Sequence, residues 1–368
     1  MSKQTIAALI IAAGYSSRMH DFKPLLPCGD RCALKRLINT YRSHGIAHIY
    51  VVVGYLKEEI IAVLKEEDVR IIYNEAYAKG MFSSIQKGVQ ALDETIEAFY
   101  MQPVDIPLIH VETLDRLYEA YEREKKSVLY PTFLGRKGHP PLIGITCREQ
   151  IMTSDGHGGL KKVLESFSED ALCVSVTDQS VLMDMDTKED YHTLMMYEAM
   201  NVPTQEECLA ILLHNSVPEP IIKHCEAVVK MVLALLNEIS LCHLVSDENT
   251  LLAAAFLHDI SRQEKNHASV GAEKLRAMGY GAIGDIVATH MDITVDAKAP
   301  LNANELLFLA DKLVCEDEFC GYEKCFENAL KKCEGNLEAQ QNIAKRLDAV
   351  KMIITKIEKV TCKAFPYA

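Results

Sequence analysis

The chain has 368 residues, 49% hydrophobic and 25% charged, which is enough for two globular cores and excludes a disordered or fibrous protein. Its 52 acidic against 39 basic residues give a formal charge of −13, which excludes a sequence-independent nucleic-acid binder, because such proteins need Lys and Arg along a phosphate backbone. No stretch reaches about 18 uninterrupted apolar residues, and Thr5 to Ala13 runs into a glycine turn instead of a cleavage site, so no membrane span or export signal is expected and the expected compartment is the cytoplasm.

In chain order, short β-rich runs come first, at Ile6–Ala12, His48–Val53, Val69–Tyr73, Ala98–Met101, Ser127–Pro131, Pro141–Ile145 and Ala171–Val176. Amphipathic helical patterns such as Leu34–His44, Lys57–Lys65 and Val111–Glu124 separate several of them. The alternation predicts an α/β domain, a mostly parallel Rossmann-like sheet with helices on both faces, whose ligands sit at the carboxyl ends of the strands. The character changes after Met200, where Pro203 and the helix-capping Thr204 lead into helical periodicity over Leu209–Leu213, Ile221–Leu236, Leu251–Leu257, His267–Met278, Asn304–Val314 and Leu337–Ile357. The expected organisation is an α/β domain at 1–198, a linker at 199–206 and an all-α domain at 207–368. Twelve cysteines without an export signal are expected as reduced core thiols. The spacing of Cys315, Cys320, Cys325 and Cys333 lacks the CxxC step of a zinc or iron–sulfur centre.

The first strand ends in Ala12-Ala13-Gly14, small residues that let a triphosphate approach main-chain N–H groups, and Arg18 and Lys23 follow as a planar fork and a point charge for phosphate. Asp105, between prolines at the end of an apolar run, is placed to hold Mg²⁺. Asp184 and Asp186 share a face if their segment is extended, so either can supply a second carboxylate, while Asp190 is placed to cap the next helix. In the second half, His258-Asp259 ends the apolar helix LLAAAFLHD, with His224 before it and His267, His290 and Asp311 after it. Imidazole and carboxylate together are a ligand set for Mn, Fe, Co or Zn, and for one ion or two.

The run AAGYSSRMHDFKPLLP resembles the signature of the molybdenum-cofactor nucleotidyltransferases, a branch of the GT-A-like pyrophosphorylase fold. The segments NEAYAKGMFSS, PVDIP, GRKGHPP and DMDTKED match that family in order, so the resemblance spans residues 5 to 195. It implies nucleotide binding by Ala12, Ala13, Gly14, Arg18, Lys23, Asn74, Gly80, Ser83 and Ser84. It implies an acceptor near Gly138 and His139, catalysis by Arg18, Lys23 and Asp105, and Mg²⁺ on Asp105 and Asp186, with Asp184 as the alternative. His20 and Asp21 replace the family's usual glycine after Arg-Met. The Ala-Ala-Gly form is similar to the cytidylyltransferase branch, which implies CMP transfer from CTP to molybdopterin with release of pyrophosphate. A sugar-phosphate or phosphocholine acceptor stays open, as does a non-catalytic carrier that delivers the cofactor to a molybdoenzyme. From residue 207 to about 320 the order H…HD…H…H…D resembles the HD phosphohydrolase superfamily. His224, His258, Asp259 and Asp311 match its defining positions, and His267 and His290 resemble the extra ligands of dinuclear members. That likeness implies a second, metal-dependent phosphohydrolase activity, with a nucleotide-sensing regulatory module as the rival reading.

Overall fold

The computed structural model describes residues 3–16, 19, 21–239 and 247–367, so Arg18 and His20 lie outside the described residues. The chain divides into two compact units, Met1–Asn201 and Val202–Ala368.

In the first unit, eight strands form one sheet: β1 (Ile6–Ala12), β2 (His48–Val53), β3 (Arg70–Tyr73), β4 (Ala98–Pro103), β5 (Val128–Phe133), β6 (Arg136–Lys137), β7 (Leu142–Gly144) and β8 (Ala171–Ser175). The order is β8-β5-β7-β4-β1-β2-β3, with β6 on β5. β1 pairs in parallel with β2 and β4, β2 with β3, and β5 with β8, whereas β7 runs antiparallel to both β4 and β5. All of β1 is buried, as a central strand covered on both faces requires, which is why its sequence reads IAALIIA without alternation.

Helices α1 (Ala33–Ser43), α2 (Lys57–Val63), α3 (Met81–Ala91), α4 (Val111–Glu124), α5 (Arg148–Thr153), α6 (Gly159–Glu165) and α7 (Lys188–Ala199) connect and cover the strands. On one face, Ala7, Leu9 and Ile11 of β1 join a core with Ile85 and Val89 of α3, Ile151 of α5 and Leu160 of α6. The sequence pattern does not give α5 and α6, which are too short to show a period, and it marks α7 only by the cap expected at Asp190, because that helix buries only Leu194. α7 is set instead by its start, a reciprocal box in which Thr187 and Asp190 each bond the other's backbone N–H.

The second unit is helical: α8 (Gln205–His214), α9 (Glu219–Ile239), α10 (Glu248–Leu257), α11 (His267–Ala277), α12 (Gly281–Val287), α13 (Ala303–Leu313), α14 (Tyr322–Lys332) and α15 (Leu337–Thr361). A hairpin of β9 (Val314–Cys315) and β10 (Glu318–Phe319) follows α13. Thr204 caps α8 in a second such box with Glu207. α10 is apolar on nearly every side because α8, α9, α12 and α13 all pack against it. The expectation of reduced cysteines is corrected at one pair: Cys315 and Cys325 form a disulfide with Cα atoms 6.0 Å apart. The β9 strand and the first turn of α14 bring these residues together, a proximity that their spacing in sequence does not reveal.

Candidate active sites

The first site lies at the carboxyl ends of β1 and β4. A cavity of about 550 Å³ is lined there by Ala13, Gly14, Ser16, Lys23, Gly80, Ser84, Asp105 and Asp186, together with Tyr15 and Tyr77. Lys23 is buried and central: its Nζ lies 2.6 Å from Asp186 Oδ1 and 3.3 Å from Asp105 Oδ2. Its backbone N–H donates to Ser16 Oγ at 3.2 Å, which ties the ammonium to the loop after β1.

Asp105 is held from two sides. Gln102, fully buried at the end of β4, donates through Nε2 to the carbonyls of Pro103 and Ile106, both at 2.9 Å, and accepts from Tyr41 Oη at 3.1 Å. The Asp105 carbonyl in turn accepts the N–H of buried Met185 at 3.0 Å. That contact brings the DMD segment alongside PVDIP. Of the two acids flanking Met185, Asp186 lines the cavity and pairs with Lys23, while Asp184 is exposed and is not part of the lining. Partial desolvation on its inner side, and then the neighbouring charges of Asp186 and Asp105, push the Asp184 carboxyl above its ordinary range.

Asn74 and Ser83 are spent on the chain itself. Asn74 Nδ2 donates to Ser83 Oγ at 3.0 Å and Ser84 Oγ at 2.9 Å, and its Oδ1 accepts from the N–H of Ala76 at 3.1 Å. This network shapes the turn that delivers Gly80, at φ +96°, to the cavity wall. Gly138 and His139 face a second cavity, of about 710 Å³, whose walls include Met81, Phe82, Ile85, Met101, Tyr130 and Leu160. Met81 borders both cavities. A Cβ at Gly138 would lie 2.6 Å from the Val181 carbonyl oxygen, so only glycine allows this approach, and the adjacent His139 N–H donates to that carbonyl at 2.9 Å. Burial lowers the His139 pKa despite the charge of Asp105, leaving the ring neutral near pH 7.

The second site gathers side chains from three helices and from the chain just past the ends of two more. His224 projects from α9 and Asp311 from α13, His258 and Asp259 close α10, His267 opens α11, and His290 follows α12. The Nδ1–H groups of His224, His258 and His290 donate to the carbonyls of Glu316 at 2.6 Å, Ala255 at 2.8 Å and Val287 at 2.7 Å. Their Nε2 atoms are thereby turned inward. His224 Nε2 lies 3.1 Å and His258 Nε2 3.6 Å from Asp311 Oδ1; His267 and His290 Nε2 lie 3.4 and 3.5 Å from Asp259 Oδ1.

Two donor trios close enough to hold an ion result, His224 with His258 and Asp259, and Asp259 with His267 and His290. Asp259 belongs to both. His258 Nε2 and Asp259 Oδ1 are buried and make no hydrogen bond among the described residues, an arrangement that a coordinated cation satisfies. The imidazole and carboxylate set therefore fits one or two divalent transition metals. Burial raises the Asp259 carboxyl, but His258, His290 and Arg262 outweigh it and hold the group ionised. Burial also pulls His267 down to about 4, so its ring offers a lone pair at neutral pH.

Sequence reasoning did not single out Arg262, whose Nη1 lies 3.1 Å from His267 Nε2 and 3.6 Å from Asp259 Oδ1, or Lys312, which pairs with Asp311 and donates to the His290 carbonyl at 3.2 Å. Both line a cavity of about 950 Å³ that also takes in His224, Asp259 and Asp311. A basic residue three positions after His-Asp was the available signal for Arg262. The Glu316 carbonyl offered none, since a main-chain acceptor has no side-chain signature.

Comparison with known proteins gives a family for each unit. Residues 8–172 match the family described as MobA-like NTP transferase domain, and residues 221–314 match the HD domain. The molybdenum cofactor cytidylyltransferase of Escherichia coli is 26% identical over 189 residues, covering 51% of this chain and 94% of that protein. The bifunctional protein GlmU of Neisseria gonorrhoeae is 31% identical over 126 residues, covering 34% of this chain and 27% of that protein. Among solved structures, a nucleotidyl transferase from Methanothermobacter thermautotroptrophicus aligns with 53% of this chain and 97% of its own, at 22% identity and a TM-score of 0.47. No helix among the described residues is long and apolar enough to cross a membrane.

Proposed function

Because this chain is an enzyme of the nucleotidyltransferase class, with a MobA-like NTP transferase domain followed by an HD domain, we propose that residues 1–198 transfer CMP from CTP to molybdopterin and that residues 207–368 hydrolyse a phosphate bond. The observation that carries the first half is Lys23 set between Asp105 and Asp186, in a cavity that opens on the Ala13-Gly14 turn. Carboxylate oxygens suit Mg²⁺, which when bound would draw charge from the phosphates of the triphosphate. The ammonium of Lys23 would neutralise charge on the departing pyrophosphate, and the main-chain N–H groups after β1 would hold the phosphates in line with the acceptor. Arg18 is assigned the remaining phosphate contacts from its place in the loop.

CTP and molybdopterin are proposed from the cytidylyltransferase relative and from the second cavity. Its walls of Met81, Phe82, Ile85, Met101 and Leu160 suit a flat ring system better than a sugar phosphate or phosphocholine. Gly138 and His139 would border that acceptor. In the HD unit, His224, His258, Asp259 and Asp311 would hold one metal, with His267 and His290 sharing Asp259 toward a second, and the metal would supply an activated water. Lys312 and Arg262 would receive the phosphate of the substrate.

Pyrophosphate release with each nucleoside triphosphate, Mg²⁺ and molybdopterin tests the transferase. CTP is expected to be preferred, and Lys23→Ala and Asp105→Asn to lose about 10²–10³-fold in kcat. A carrier would keep its function in both variants, and absence of pyrophosphate release with every nucleotide and acceptor would overturn the assignment. For the HD unit, the manganese-loaded protein should hydrolyse a generic phosphodiester, and His258→Ala should not.

A further inference from the structure

The nucleotide cavity contains an aromatic surface that the phosphate chemistry does not use. Tyr15 directly follows Gly14, is 50% exposed, and lines the same cavity as Lys23, Asp105 and Asp186. Its ring centroid lies 5.2 Å from Tyr55 and 5.3 Å from Tyr77, at interplanar angles of 45° and 55°. Phe22 meets Tyr55 edge-on at 6.0 Å. Tilted contacts prop a ring without covering its face, and among the described residues no ring lies flat on Tyr15.

The support is built into the backbone. A Cβ at Gly54 would sit 2.6 Å from Tyr77 Cβ and 2.8 Å from the Ala13 carbonyl oxygen, so the bare glycine is what lets Tyr77 lie against the end of β1. The Tyr55 N–H donates to that Ala13 carbonyl at 3.3 Å, tying the second supporting ring to the phosphate loop. Tyr15 is thus an exposed aromatic residue held in place, and such a ring gives up little conformational freedom when a ligand stacks on it. Tyr15 and Tyr77 line the cavity that holds Lys23 and the two carboxylates, and neither lines the larger cavity beyond Met81. The ring of the nucleotide, not that of the acceptor, is therefore their partner.

We infer that Tyr15, propped by Tyr77 and Tyr55, is the platform on which the base of the nucleoside triphosphate stacks, giving affinity common to all bases and no discrimination among them. Every base has a π-face, so stacking is tolerant of base identity, and selection of one base has to come from hydrogen bonds to its edge. The inference rests on the transferase reading and is tested separately from it.

The chain contains no tryptophan, so Tyr15→Trp introduces a single indole fluorophore at the platform. With Mg²⁺ present, CTP, GTP, ATP and UTP should each quench its emission saturably, and tripolyphosphate, which has the charge but no base, should not. In steady-state assays Tyr15→Ala should raise KM about tenfold for CTP and GTP alike, the loss falling on KM and not on kcat, and Tyr15→Phe should restore KM. Equal quenching by tripolyphosphate, or a wild-type KM in Tyr15→Ala, overturns the platform. A wild-type protein that releases no pyrophosphate sinks the transferase reading, and the contrast between CTP and tripolyphosphate on Tyr15→Trp still decides whether the base stacks.

Discussion

Arg262 occupies two of the donors that a second ion needs, at 3.1 Å from His267 Nε2 and 3.6 Å from Asp259 Oδ1. An ion bound by Asp259, His267 and His290 must displace this guanidinium or sit against it, which weakens the second ion relative to the first. Arg262→Met should therefore tighten the second binding step by about tenfold, or about 1.4 kcal/mol, in calorimetric titration with Mn²⁺. An unchanged second step would show that the arginine moves aside at no cost. His44 makes a second residue-level prediction. Its ring is buried, its Nε2 faces Tyr100 Oη at 3.0 Å, and Lys3 Nζ lies 2.9 Å from its Nδ1. Burial and the charge of Lys3 pull its pKa down to about 4, against the opposing pull of Asp115. The unfolded chain therefore binds a proton between pH 6.5 and 4 that the folded chain refuses, so the stability tied to this ring is complete above pH 6.5 and falls as the pH drops toward 4. The loss is on the order of 3 kcal/mol. Urea midpoints measured across that window should fall more steeply for the wild type than for His44→Gln.

At the level of elements, the turn after β2 is constrained by its neighbours on both sides. Gly54→Ala would drive a methyl into Tyr77 and the Ala13 carbonyl, and the expected cost of such overpacking is about 1–3 kcal/mol, visible as a lowered Tm of the first unit. Local pattern predicted the elements that show it strongly: β1 falls where its apolar run put it, α4 where its helical period put it, and α10 is central because it is apolar on every side from Leu251 to Leu257. α7 was legible only through its cap at Asp190, since it buries one leucine and shows no apolar face, and the reversed direction of β7 was not legible, because strand direction depends on what the chain pairs with and not on its own residues. The site divides similarly. The acids of PVDIP and DMDTKED stood out by their chemistry, but their spacing left Asp184 and Asp186 equivalent, and it is the ion pair with Lys23 and the place in the cavity wall that separate Asp186 from Asp184. Gln102 reads as one polar residue in an apolar strand, and its work of holding the following turn through two carbonyls exists only in three dimensions.

The whole molecule comprises two units with separate cores, one around the sheet and one around α9, α10 and α13. Proteins built this way unfold in more than one step, and a ligand stabilises only the unit that binds it. Differential scanning calorimetry should resolve two transitions, with Mn²⁺ raising one, Mg²⁺ and CTP raising the other, and His258→Ala abolishing the manganese response alone. A single transition that both ligands move together would contradict the independence of the units. The carboxylate that both donor trios share gives this separation a genetic reading. Replacing Asp259 removes a ligand from each ion at a stroke while every residue around Lys23 stays as it was. One codon is thus enough to silence the proposed hydrolase, and a lineage with no use for that reaction could keep the fused fold, and its nucleotidyl transfer, intact.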